Sequence, residues 1–176
     1  MLFTQDYVCN KKPDQSTIVS VDKGEPRKKH YLHNTSKCSV YQYQLDGGII
    51  TDSPESLNKC DFIIEANPGK KIVYFVELKG RKIGHAFKQL EGTASLFCTP
   101  EKCAEFRKVY IGDLTGFEVH ARIITTDASE YKKTPKTHER AFLDQIQKLK
   151  HKYQIQFNAK EKIVRQAQNP EAVDSI

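Results

Sequence analysis

The sequence predicts an α/β domain in which a mixed central β-sheet is flanked by helices. Three observations lead there. Two strongly β-forming runs, residues 60–65 (CDFIIE) and 72–78 (IVYFVEL), are joined by a short link containing Asn67-Pro68-Gly69-Lys70, so they should pair as an antiparallel hairpin. A helix is expected over residues 84–97, where Ala86, Phe87, Leu90, Ala94 and Phe97 make one apolar stripe. Strand signals then return over 118–126, ahead of a second amphipathic helix over 137–153 with Phe142, Ile146, Leu149 and Tyr153 on one side. Strands alternating with helices in this way bury both faces of a sheet.

The remaining elements follow in chain order. Residues 1–15 read as irregular. Thr17-Ile18-Val19-Ser20-Val21 reads as a strand, and Lys23-Gly24-Glu25-Pro26 as a turn. Residues 40–45 (VYQYQL) alternate and form a strand. Asp46-Gly47-Gly48 then makes a turn or bulge before extended structure resumes over 49–51. Ser53 and Pro54 suit the N-cap and first position of a short helical turn. A further strand is expected over 108–111, a last one over 153–157, and a frayed tail over 166–176. The chain has room for a single domain over 1–176, with a core at roughly 40–126 and a basic helix and strand at 132–165.

Composition narrows the class. Hydrophobic residues make up 38% and charged residues 28%, as in soluble globular proteins. No apolar run approaches the roughly 20 residues that span a bilayer. The first residues do not read as a secretory signal, so a cytoplasmic protein without membrane attachment is expected. Five cysteines, an odd number, argue against a disulfide framework, and their spacing does not complete a zinc site even with His30 and His33. The net charge of +6 suggests a polyanionic partner. Its distribution adds detail: Arg27, Lys28 and Lys29 form one basic cluster, residues 132–165 another, and six acids lie between Asp46 and Glu77. Such a chain suits phosphates at its edges and cations in its middle.

The hairpin carries the chemistry. Side chains alternate along a strand, so Glu77 and Lys79 emerge on one face and Val76 and Leu78 on the other. Asp61 opens the neighbouring strand. A four-residue link would set it opposite Val76, on the wrong face, whereas a three- or five-residue link brings both carboxylates together. An odd-length loop or a bulge is therefore expected. Converging carboxylates, with the Leu78 backbone carbonyl beside them, make an oxygen-rich site for Mg²⁺, with Mn²⁺ able to substitute. Such an ion assists phosphodiester hydrolysis, and Lys79 would hold the attacking water or offset charge on phosphorus.

Asp61, fifteen intervening residues and then Glu77-Leu78-Lys79 resemble the signature of the PD-(D/E)XK nuclease superfamily, which has a restriction-endonuclease-like core. The order strand, hairpin, helix, strand over residues 40–126 is similar too. Gln89, in Phe87-Lys88-Gln89-Leu90, matches a helical Gln found in part of the superfamily, and His85 shares its helix face. Two departures stand out: Cys60 replaces the Pro, and no helix precedes the hairpin to carry the usual Glu. Asp46, Asp52 or Glu55 could replace that Glu, with Asp46 preferred beside its two glycines.

The resemblance implies a metal-dependent DNA endonuclease with Asp61, Glu77, Lys79 and Gln89 as its catalytic set, cutting in a restriction-like or a structure-directed, Holliday-junction-resolvase-like way. Arg27, Lys28, Lys29, Arg81, Lys82, His85 and Lys88 would contact nucleic acid, and a homodimer or a larger protein partner is expected. A non-catalytic nucleic-acid-binding subunit, an RNA-cleaving enzyme and a structural ion-pair network are the competing readings.

Overall fold

The computed structural model describes the chain apart from residues 11–15, 22–23, 25–26, 52–56, 160 and 168–172. Its centre is a seven-stranded sheet built from β1 (Val8–Asn10), β4 (Val40–Gln44), β5 (Phe62–Ala66), β6 (Ile72–Lys79), β7 (Glu118–Thr125), β8 (Gln156–Phe157) and β9 (Val164–Gln166). The first four strands run antiparallel in the order β1-β4-β5-β6. From β6 onwards the pairing is parallel: β7 lies beside β6, and β8 and β9 both pair with β7. A second sheet of three strands contains β2 (Thr17–Val21), β3 (Lys29–His33) and β10 (Val173–Ser175).

Helices α1 (Ile83–Cys98) and α4 (Lys136–Tyr153) cover one face of the large sheet, with the short α2 (Ala104–Val109) and α3 (Glu130–Lys133) between them in sequence. The expected stripe of α1 is the buried one, since Ala86, Phe87, Leu90, Ala94 and Phe97 are all fully enclosed. Phe97 stacks on Phe75 of β6 with ring centroids 5.4 Å apart. The small sheet covers the opposite face. Strand β6 is therefore buried on both sides, which explains its unbroken apolar run. Its odd-numbered residues Val73 and Phe75 join the core under the helices, and its even-numbered Ile72, Tyr74, Val76 and Leu78 join the core under the small sheet.

The architecture is thus a mixed, partly parallel sheet flanked by helices, compatible with a restriction-endonuclease-like core. Several local expectations change. Residues 108–111 are not a strand: Arg107 and Lys108 close α2, and Tyr110 makes only an isolated bridge to Phe3. Its β-forming side chains serve helix and core packing instead, with Val109 buried. Residues 49–51 turn back rather than extend, and the Ile49 and Ile50 amides bond to the Gln44 and Leu45 carbonyls. The basic cluster at 27–29 runs into β3. The tail is not frayed at its end, because Val173–Ser175 pairs in parallel with β3. The turn at 23–26 falls largely, and the helical turn at Ser53 and Pro54 wholly, outside the described residues. Among the described residues, no helix is long and apolar enough to cross a membrane.

Candidate active-site cleft

The β5–β6 connection decides what the sheet presents. Ala66 pairs with Ile72 and Phe62 with Val76, so the loop is five residues, 67–71. Extending this register by one step sets Asp61 across from Glu77, on the face covered by helices. The Leu78 amide donates to Asp61 Oδ2 at 2.7 Å, which fixes the carboxylate at the end of the strand pair. The Asp61 carbonyl accepts from the Leu45 amide at 2.8 Å. That bond ties the turn after β4 to the same spot.

Asp46 is carried there by this turn. Gly47, at φ +68°, takes the left-handed conformation that lets the chain reverse immediately after Asp46. The Asp46 carboxylate is half exposed and meets Lys59 Nζ at 3.1 Å. Three acids, Asp46, Asp61 and Glu77, therefore line one open cleft of about 810 Å³, together with Lys79, Gln89, Arg27, Lys28, Arg81 and Lys82. The cleft lies at the carboxyl end of β6, where open parallel sheets commonly bind ligands.

Helix α1 shapes the other wall. Gln89 Oε1 accepts from Lys79 Nζ at 2.8 Å, and Gln89 Nε2 donates to the Lys59 carbonyl at 3.1 Å. One turn on, Thr93 Oγ1 accepts from the Cys60 amide at 2.8 Å. Two polar side chains of α1 thus clip the segment leading into Asp61. The approach needs Gly92, because a Cβ there would collide with the Asn58 carbonyl. Lys79 Nζ also lies 3.5 Å from Glu77 Oε1.

Glu77 is the anomaly of the site. Its side chain is 1% exposed, and its Oε2 is buried without a hydrogen-bond partner. Burial first, then the charges of Asp61 and Asp46, push its pKa well above the usual carboxylate range, with Lys79 pulling the other way. A buried carboxylate oxygen with no donor is costly, and its natural complement is a cation. The donor set fits a hard divalent ion: carboxylate oxygens, a nearby backbone carbonyl at Leu78 and room for water.

The other expected residues divide. Arg27, Lys28, Arg81 and Lys82 line the cleft; Lys28 does so while only 5% exposed, and the rest are exposed. His85 is exposed on α1 near the site, its pKa lowered by partial burial and then by Lys79. Lys88 instead borders a separate pocket with Asn58, Glu91 and Gln145, and Lys29 is a half-buried residue of β3. Neither lines the cleft. Asp52 and Glu55 lie outside the described residues.

A second charged group, which sequence reasoning did not assemble, sits on the opposite face of β7. Glu118, His120 and Glu161 place ligand-type atoms within 4.8 Å of one another, a cluster able to hold a metal ion. His120 Nδ1 is 2.9 Å from Glu161 Oε2; its Nε2 is 3.0 Å from Glu118 Oε1, without hydrogen-bond alignment. Both carboxylates already meet cations: Lys70 pairs with Glu118, and Arg122 Nη2 reaches Glu161 at 2.6 Å. Arg122 also forks onto Asp174 of β10, which accepts from His30 of β3 at 2.8 Å. Burial works against the charged Asp174, yet the bonds from His30 and Arg122 hold its pKa well below the usual range. The sequence signal for this network was faint: alternating His120 and Arg122 on the inner face of a strand, with partners 39 and 52 residues from Arg122.

All five cysteines are free thiols. No protein-family model, curated protein or solved structure matches the chain.

Proposed function

We propose that the Asp61–Glu77–Lys79 cleft hydrolyses phosphodiester bonds of DNA with the aid of Mg²⁺, for which Mn²⁺ can substitute. The observation that carries this reading is the buried, donor-less Oε2 of Glu77 beside Asp61, in a cleft rimmed by cations. Asp61, Glu77 and the Leu78 carbonyl would hold the ion, with Asp46 at the edge. When bound, it would supply concentrated positive charge to the scissile phosphate and to the attacking water.

The protein groups do the rest. The Leu78 amide orients Asp61, so that carboxylate needs no rearrangement when substrate arrives. Gln89 holds the Lys79 ammonium at the mouth of the acid pair, where it can hold a water or meet a phosphate oxygen. Arg27, Lys28, Arg81 and Lys82 supply charge for the flanking phosphates. Restriction-like and structure-directed cleavage both fit this cleft, and a second copy or a larger partner would enlarge the contact surface.

The test is to incubate the protein with plasmid, single-stranded and branched DNA, and with matched RNA, in Mg²⁺, Mn²⁺ or EDTA. Metal-dependent cleavage of DNA that falls about 10²–10⁴-fold in Lys79→Ala is expected. No cleavage of any substrate with either ion would leave a binding subunit with a nuclease-like cleft, and cleavage of RNA alone would reassign the substrate.

A further inference from the structure

The cluster on β7 lies apart from the cleft. Strands β6 and β7 run parallel, so Glu118, the first residue of β7, sits at the opposite end of the sheet from Lys79. Glu118 and His120 are two residues apart on one strand and therefore share a face. Glu161 reaches them from the segment between β8 and β9, in a turn closed by its amide on the Asn158 carbonyl at 3.1 Å.

The imidazole between the two carboxylates is held in one pose. Its ring stacks on Tyr74 of β6 with centroids 4.7 Å apart, and its Nδ1 meets Glu161 Oε2 at 2.9 Å. A carboxylate only accepts, so this bond puts the ring proton on Nδ1 and leaves a lone pair at Nε2. His120 is 7% exposed, and its Nε2 is buried with no hydrogen-bond partner among the described residues, although Glu118 Oε1 lies 3.0 Å away. Two electron-rich atoms facing each other need something positive between them. A second ring proton would serve only through an aligned N–H···O bond, and that alignment is missing. A metal ion suits the gap better. Tetrahedral bonds of about 2.0–2.2 Å set neighbouring ligand atoms roughly 3.3–3.6 Å apart, so a small widening admits one. Further oxygen is at hand: Arg122 and the imidazole both use Oε2 of Glu161, which leaves its Oε1 able to reach an ion. Lys70, 62% exposed, takes only Oε2 of Glu118.

We propose that His120 Nε2, Glu118 Oε1 and Glu161 hold one zinc-class divalent ion, which clips the start of β7 to the segment ahead of β9. Imidazole nitrogen favours zinc and its transition-metal neighbours, whereas the all-oxygen set of the cleft favours Mg²⁺. Glu161 orients the ring and Arg122 holds Glu161, the outer support that metal-bound histidines commonly have. The ion's place is structural, at the margin of the charged network behind the sheet. It does not depend on what the cleft hydrolyses.

The experiment titrates metal-free protein with Zn²⁺, Co²⁺ and Mg²⁺ while following the melting temperature, the visible absorption of Co²⁺ and the imidazole ¹⁵N resonances. Glu77→Gln is the background, so that the cleft lacks a proposed ion ligand, and Cys9→Ser removes the exposed thiol. Expected are one Zn²⁺ per chain, bound more tightly than Mg²⁺, a raised melting temperature, and a shift of the His120 Nε2 resonance with Nδ1 still protonated. Glu118→Gln, at a partly exposed side chain, should weaken Zn²⁺ by about 10–100-fold while leaving the melt in EDTA nearly unchanged, and His120→Gln should weaken it at least as much. A Nε2 that stays protonated in excess Zn²⁺ would overturn the proposal. So would Mg²⁺ binding as tight as Zn²⁺, thiolate bands in the Co²⁺ spectrum, or Zn²⁺ affinity unchanged by Glu118→Gln. Plasmid cleavage by the wild type in Mg²⁺ reads the cleft alone, so the two claims fail separately.

Discussion

Two groups of buried charge flank the same pair of strands, β6 and β7, and they are built on opposite principles. On the face covered by the small sheet, Asp174 is met by His30, Arg122 and Arg165, and Glu161 by Arg122 and His120. Arg122 in addition lies over the Tyr74 ring at 5.5 Å. There the carboxylates at the centre of the network have their cations, and the network joins β7 to both β3 and β10. On the face covered by helices, Lys79 is shared between Glu77 and Gln89, and one oxygen of the buried Glu77 carboxylate is left bare. A compensated network holds layers together, whereas an uncompensated one stores demand for something from outside. That contrast is the physical reason to place chemistry in the cleft and architecture behind it.

The sharpest way to break the comparison is at Glu77. Because its folded pKa is raised, its favourable contribution is complete below the ordinary carboxylate pKa of about 4.3 and is lost as pH climbs through the raised value. Glu77→Gln should therefore abolish metal-dependent cleavage and yet stabilise the metal-free protein at neutral pH by on the order of 1 kcal/mol. Thermal melts in EDTA check the second half, and Mg²⁺ should raise the melting temperature of the wild type but not of the variant. A variant less stable than wild type in EDTA would mean that Glu77 is compensated after all.

The next largest effect is expected behind the sheet. Asp174→Ala leaves Arg122 buried with half its partners gone, and should cost roughly 3–5 kcal/mol in chemical denaturation. Here the sign with pH is reversed. The depressed pKa of Asp174 means that its contribution is full above the ordinary carboxylate value of about 3.9 and disappears as pH falls through the lower folded value, so the difference between wild type and variant should shrink in acid. A pH-independent difference would show that packing, not charge, is what the residue provides.

A smaller effect tests how the two faces are insulated. Gly92→Ala should push the Asn58–Cys60 segment off α1, costing about 1–3 kcal/mol. Because that segment leads into Asp61, cleavage should fall more than stability alone explains. Activity intact at a temperature where the variant is fully folded would show that the position of Asp61 does not depend on packing of that segment against α1.

Much of the cleft was legible because it is built from near neighbours. Alternation put Glu77 and Lys79 together, and the link after β5 limited the register to two useful values, whereas the sequence left open whether Gln89 turns to the site or outward, and the packed helix buries it against Lys79 and the Lys59 carbonyl. Asp46 followed from its glycines. What escaped depends on distant pairing. Strand β3 hides in a run read for its charge, although His30 and Leu32 are fully buried. Asp174 sits in a polar stretch whose partners appear only once the large sheet exists. Residues 108–111 show the converse, since β-forming side chains there were absorbed into a helix end by the surrounding aromatic packing of Phe97, Phe106 and Tyr110.

The pairing of β10 with β3 also dictates an order of assembly. His30 and Asp174 are 144 residues apart, and β2 has its β3 partner long before β10 is synthesised. A growing polypeptide can form the hairpin of β5 and β6 early, but the three-stranded sheet is complete only once residues 173–175 have been made. Since Lys28 is carried just ahead of β3, one wall of the cleft is tied to that late pairing, whereas the β5–β6 strand pair that presents Asp61 and Glu77 needs only its near neighbours.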